Sequence, residues 1–135
     1  MSEAPKITTF PNEEHYNGIV IQTGIKVNSM CAHHNLPFYG YAAIAYLPKN
    51  RVIGLSKLNR IVDYFSRRPQ VQENLNMDIH NFVAKLCEGN KGVAVMVEAN
   101  HTCCSLRGIK QNSSMRTARM SGAFHEPGYG SRNEF

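Results

Sequence analysis

Between positions 19 and 27 the apolar residues Ile19, Ile21, Ile25 and Val27 all fall on odd positions, the period-two pattern of a strand with one buried face. Gly24 interrupts that run and predicts a bulge. Residues 38–47, rich in aromatic and small side chains, predict a second strand that ends at the turn-forming Pro48-Lys49-Asn50. The period then changes. Behind Ser56, a predicted N-cap, Leu58, Ile61, Val62 and Phe65 repeat at helical spacing, and this helix should stop near Arg68, before Pro69. Pro69 is expected to open a second helix, with Val71, Leu75, Ile79, Phe82, Val83 and Leu86 on its apolar stripe and Gly89 at its end. After Lys91-Gly92, alternation returns at Val93, Val95 and Val97. It predicts a strand running through His101 and Cys103 to Ile109, a turn near Gln111-Asn112, and a last strand ending by Phe124.

Strand, strand, helix, helix, strand, strand describes an α+β domain: an antiparallel four-stranded sheet with two helices on one face. Such a sheet has two open edges, which proteins blunt or pair with another chain. At 135 residues and 42% hydrophobic composition, one core and one domain are expected. That domain spans 18–125, between a short segment 1–17 and a Gly-containing tail 126–135. The chain has no internal repeat and no apolar run of about 18 residues, and Glu3 and Pro5 stand where a secretory leader is basic and apolar. With four cysteines and no such leader, a reducing compartment is expected, the cytoplasm, or a host's cytoplasm were the source viral. The net charge of +5 suits an anionic partner. Charge alone does not choose among nucleic acid, an anionic membrane surface and a phosphorylated small molecule, and scattered basic residues are also ordinary solvated surface; with no nucleic-acid signature beside them, neither nucleic acid nor membrane is expected as partner.

The strongest chemical signal is Cys31-Ala32-His33-His34. A cysteine and a histidine three apart reach one zinc ion where a chain bends. Adjacent histidines point to opposite sides of an extended backbone, which leaves one as ligand and one as a proton carrier. Some seventy residues on, His101-Thr102-Cys103-Cys104 places His101 and Cys103 on one side of a strand. Cys31, His34 and Cys103 then form a three-ligand set with a fourth position open, as in catalytic zinc sites. A closed structural site drawing on Cys104 or His101, or plain burial of the thiols, is the alternative. Lys57, Arg60 and Arg107 are candidate phosphate contacts, the first two at a helix N-terminus, although spacing alone is equally met by solvated surface. Glu73 is equally satisfied as a favourable acid near a helix start.

The runs Ser29-Met30-Cys31-Ala32-His33-His34 and Val52-Ile53-Gly54-Leu55-Ser56-Lys57-Leu58-Asn59-Arg60-Ile61-Val62, together with Arg67-Arg68-Pro69-Gln70-Val71-Gln72-Glu73, and His101-Thr102-Cys103 followed by Arg107-Gly108-Ile109, resemble the GTP cyclohydrolase I family. The likeness covers roughly residues 19–135. It implies the tunnelling fold, a ring-shaped homo-oligomer, and active sites between subunits. By the same resemblance Cys31, His34 and Cys103 are zinc ligands, and His33 and His101 transfer protons. Gln72 and a buried Glu73 recognise guanine, and Ser56, Lys57, Arg60 and Arg107 hold the triphosphate. The implied reaction opens the imidazole ring of GTP, releases C8 as formate and yields 7,8-dihydroneopterin triphosphate, a first step toward tetrahydrofolate, another pterin or a 7-deazaguanine. Ala32 stands where the family usually has Glu, and the chain starts almost at the first strand, where the family carries a helical extension. These departures motivate a competing expectation, a ring-forming purine- or pterin-binding protein without turnover. Charge and Cys/His content motivate another, a zinc-stabilised nucleic-acid-binding domain.

Overall fold

The computed structural model describes residues 5–32, 35–54, 56–101 and 114–125. Strand β1 (Thr9–Pro11) precedes the long β2 (Val20–Met30) and β3 (Pro37–Leu47) and the short β4 (Arg51–Ile53). Helices α1 (Lys57–Ser66) and α2 (Gln72–Leu86) follow, then β5 (Gly92–His101), β6 (Met115–Met120) and a 3-10 turn over Gly122–His125. The four longer strands form one antiparallel sheet in the order β2-β3-β5-β6, the α+β architecture predicted from the periodicity. β1 and β4 pair separately as a two-stranded ladder. At three residues each, they are too short for periodicity to reveal.

Alternation assigns the two faces of the sheet. Ile25 and Val27 of β2, Phe38, Ala42, Ile44 and Tyr46 of β3, and Val93, Val95 and Val97 of β5 are buried with Leu58, Ile61, Val62, Leu75, Ile79 and Val83 of the helices. Burying a side chain of this size contributes about 1.5–3 kcal/mol, so this one cluster fixes the register of the three strands. The opposite face carries the exposed Tyr39 and Tyr41 and, among the described residues, is covered at one end. There Phe124 packs on Ala45, Leu47 and Ala94. Phe124 therefore belongs to a 3-10 turn closing the sheet's second face, and not to the end of the last strand as expected. Gly24 (φ 69) lies where the β2–β3 register slips between Gln22 and Ile25, as predicted. A Cβ on Gly40 would collide with the Glu98 carbonyl and the Ala99 Cα, so β3 and β5 approach closely there only because this residue has no side chain.

Two helix starts differ from expectation. Ser56 holds the N-cap position but is left-handed (φ 67, ψ −8), and its hydroxyl caps nothing. Pro69 does not open α2. The chain stays extended through Val71 (φ −89, ψ 151), because Gln70 pairs with Cys31 in a parallel bridge and helical dihedrals begin only at Gln72. No helix among the described residues is long and apolar enough to cross a membrane.

His80 of α2 ties the helix to the end of β6. Its Nδ1 lies 3.0 Å from Asn81 Oδ1, and its Nε2 lies 2.8 Å from Ser121 Oγ. Burial holds the imidazole below its usual pKa. The Asn81 bond opposes that shift, the Arg119 charge adds to it, a backbone bond with Val93 opposes it and His125 adds to it. The unfolded chain thus binds a proton that the folded chain refuses, so stability is full above about pH 6.5 and falls as pH drops from there toward the depressed folded value. Urea unfolding from pH 7.5 to 5 should show the wild type losing at most about 1.4 kcal/mol per pH unit through this group. His80→Gln should flatten that slope.

Candidate active site

Across the sheet, Ser29 of β2 faces Phe38 of β3, and Phe38 faces His101 of β5. The last residues of β2 and β5 therefore meet at one end, and Cys31 follows directly. Its amide donates to the Leu36 carbonyl (2.7 Å) and its own carbonyl accepts from Asn35 (2.8 Å), closing a tight turn that Asn35 completes at φ 57. Cys31 is buried and in no disulfide. The extended joint between the helices holds this turn in place. Gln70 N–H donates to Met30 O (2.9 Å) and Ala32 N–H to Gln70 O (3.1 Å). The Gln70 amide also donates to the carbonyls of Phe65 and Arg68 and to Ser29 Oγ. Gln70 lies within the recognised run of residues, yet spacing suggests no role for it.

His101 stacks on Phe38, centroids 4.5 Å apart and planes within 13°. Its Nε2 lies 2.7 Å from Gln72 Oε1. Burial lowers its pKa and the nearby Glu73 carboxylate partly offsets that, so the ring is predominantly neutral at neutral pH. The Gln72 side chain, expected to face guanine, turns inward. It is only 1% exposed and its amide nitrogen faces Val97 O, Met115 O and Thr117 Oγ1 at 3.0, 3.0 and 3.2 Å. Glu73 is one helical step on, about 100° around the axis, and points out. Expected as a buried carboxylate, it is exposed on the single chain. It borders an open cleft of about 330 Å³ lined also by Asn76, Thr117 and Arg119 beside edge strand β6. Asn76 Oδ1 is buried there with no hydrogen-bond partner among the described residues.

Ser56, Lys57 and Arg60 sit elsewhere. α1 starts near β2's first half, where Asn59 accepts from Gln22 (2.6 Å), and ends near Ser29, whose hydroxyl lies 3.4 Å from Arg68 O. A ten-residue helix is about 15 Å long, so the α1 N-terminus lies about that far from the end bearing Cys31 and His101. α1 has no acidic residue in its first turn and no side-chain cap, the condition under which a helix N-terminus attracts anions. The described candidate residues thus fall into two groups on one chain, one at the N-terminus of α1 beneath edge β2 and one at Glu73 and His101 toward edge β6.

His33, His34, Cys103 and Arg107 lie outside the described residues. Among the described residues no three His, Cys, Asp or Glu side chains converge on a metal position; of the expected zinc ligands only Cys31 is described. A buried thiol at a pinned turn is a donor that suits zinc. Cys87 is a different case, a core thiol pushed up to about 12 by burial and therefore inert.

Residues 1–135 match the family model described as GTP cyclohydrolase I. The chain belongs to the GTP cyclohydrolase I family. It is 44% identical over 127 residues to GTP cyclohydrolase 1 of Flavobacterium johnsoniae, covering 93% of this chain and 56% of that protein. It is 51% identical over 118 residues to GTP cyclohydrolase 1 of Alkalilimnicola ehrlichii, covering 87% of this chain and 63% of the relative. The chain thus spans between half and two thirds of the length of these curated relatives. Among solved structures, the apo form of the archaeosine synthase QueF-Like superposes with a TM-score of 0.60 at 18% identity, covering 77% of this chain and 93% of the other. That likeness supports the tunnelling fold.

If the Gln70 joint holds the Cys31 turn, Gln70→Ala should cost about 1–3 kcal/mol, the usual cost of leaving buried acceptors without a donor. Thermal unfolding measures the loss. Amide exchange should quicken at Ala32, while the β3–β5 ladder stays protected.

Proposed function

We propose that the chain is the catalytic unit of a zinc-dependent enzyme that hydrolyses GTP to 7,8-dihydroneopterin triphosphate and formate, acting in the cytoplasm. What supports this reading, beyond family membership, is the juxtaposition at one end of the sheet: a neutral, stacked imidazole at His101 beside the exposed carboxylate of Glu73, in line across the strands with the turn that carries Cys31.

Cys31, His34 and Cys103 would hold the zinc, whose chemistry is to make water nucleophilic near neutral pH for attack on C8 of the base. His101 takes up the proton released by the attacking water and passes it to the ring nitrogen that leaves, and His33 assists opening of the ribose. Glu73 accepts from the guanine N1–H and amino group, which rejects adenine because its edge would leave the carboxylate unpaired. Ser56, Lys57, Arg60 and Arg107 bind the triphosphate by charge-assisted hydrogen bonds.

The two groups of residues on one chain favour a site shared between copies. β2 and β6 are both unpaired edges among the described residues, and the approach of one copy's β2 to another's β6 would bring an α1 N-terminus toward Glu73 while covering both edges. An assembled neighbour would also supply the burial that Glu73 lacks in the single chain. We therefore infer a ring-shaped homo-oligomer, with GTP as the small-molecule partner.

Incubation with GTP, reading formate and the fluorescence of the oxidised pterin, tests the reaction. Chelation should abolish turnover, and Cys31→Ala should lose the metal while Cys104→Ala keeps it. His101→Ala should retain metal and GTP binding but lose formate release by about 100-fold or more. Glu73→Gln should weaken GTP more than inorganic tripolyphosphate; equal losses would remove the carboxylate from base recognition. GTP bound without formate release would instead favour the binding-protein reading.

A further inference from the structure

We propose that Gln72 is a positioning residue that holds His101 through its Nε2–H, leaving Nδ1 as the nitrogen through which this histidine exchanges protons with the substrate. The inference rests on the proposed role of His101 but is decided by hydrogen-bond polarity within the chain.

A glutamine amide can face either way, and here its surroundings choose. The nitrogen end lies 3.0 Å from two backbone carbonyl oxygens, Val97 O and Met115 O. Carbonyl oxygens only accept, so an inverted amide would set oxygen against oxygen at both contacts and leave both acceptors without a donor. The nitrogen is fixed on that side, and Oε1 must face His101, 2.7 Å from Nε2. An amide oxygen also only accepts, so Nε2 must carry the hydrogen. In the neutral ring the lone pair then sits on Nδ1. Water does not loosen the choice, because Gln72 is fully enclosed, and stacking on Phe38 fixes the ring plane. Val97 and Met115 belong to β5 and β6, so the amide also joins the two strands beneath the histidine.

This reading assigns Gln72 a different task from contact with the base. A base contact makes its loss appear chiefly in KM; a tautomer clamp makes it appear in kcat. The test is solid-state nitrogen NMR of the assembled protein labelled at histidine nitrogens, with His101 assigned by difference against His101→Asn. The wild type should show Nε2 protonated and Nδ1 bare in the neutral ring. Gln72→Met should shift that ratio toward Nδ1–H and lower kcat by at least about tenfold, with KM for GTP changed less than threefold. Gln72→Glu keeps an acceptor toward the ring and should retain the Nε2–H form even if it costs stability. A wild-type ring protonated at Nδ1 would overturn the inference without any variant, as would an unchanged tautomer in Gln72→Met. Absence of formate release from the wild type would defeat the proposed reaction while leaving the tautomer result standing.

Discussion

Three consecutive residues where α2 begins fasten the Cys31 turn and His101 to the sheet. Gln70 pairs with the turn at Cys31 through its backbone and gathers Ser29, Phe65 and Arg68 through its side chain. Val71 stays extended. Gln72 then reaches under β5 and β6 and holds His101. Had α2 begun at Pro69, the Gln70 carbonyl would be spent inside the helix and its parallel bridge to Cys31 would be lost. The late start of α2 is thus the condition for placing a thiol turn and a histidine at the same end of one sheet.

The same geometry separates the candidate residues into two groups on a single chain. Its imidazole and carboxylate stand toward one edge, and its anion-attracting helix start lies beneath the other, about one helix length from the Cys31 end. Ser56 in the left-handed region costs about 1–2 kcal/mol and gives up its capping bond. The Lys57 N–H meets Gly54 O (3.2 Å), and no side-chain hydrogen bond among the described residues caps the helix.

Much of this fold was legible in the sequence, because alternation at Ile25 and Val27 or at Val93, Val95 and Val97 reports burial on one face, and burial is what organises the sheet. The bulge at Gly24 was legible for the same reason. Ser56 misled because a residue type that caps well says nothing about its φ. Phe124 misled because an apolar residue after a strand can as easily fold over the sheet's second face as extend the strand. The site was legible as residue types and not as directions. Gln72 and Glu73 are neighbours in sequence, yet one turns wholly inward and the other outward, a distinction set by α2's rotation against β5 and β6. Gln70 stood in the family-like run but left no signal of its role, since that lies in backbone pairing with a segment some forty residues away.

The central claim is that one site is built from two copies of the chain, and subunit mixing tests it most directly. Arg60→Ala and His101→Ala, each inactive alone, are dissociated together and reassembled. If the α1 start of one copy serves the imidazole of another, about a quarter of sites in a random mixture unite two intact halves. Formate release should then recover to about a quarter of the wild-type rate. Activity no greater than the sum of the two parents, in assemblies shown to contain both, would contradict the account.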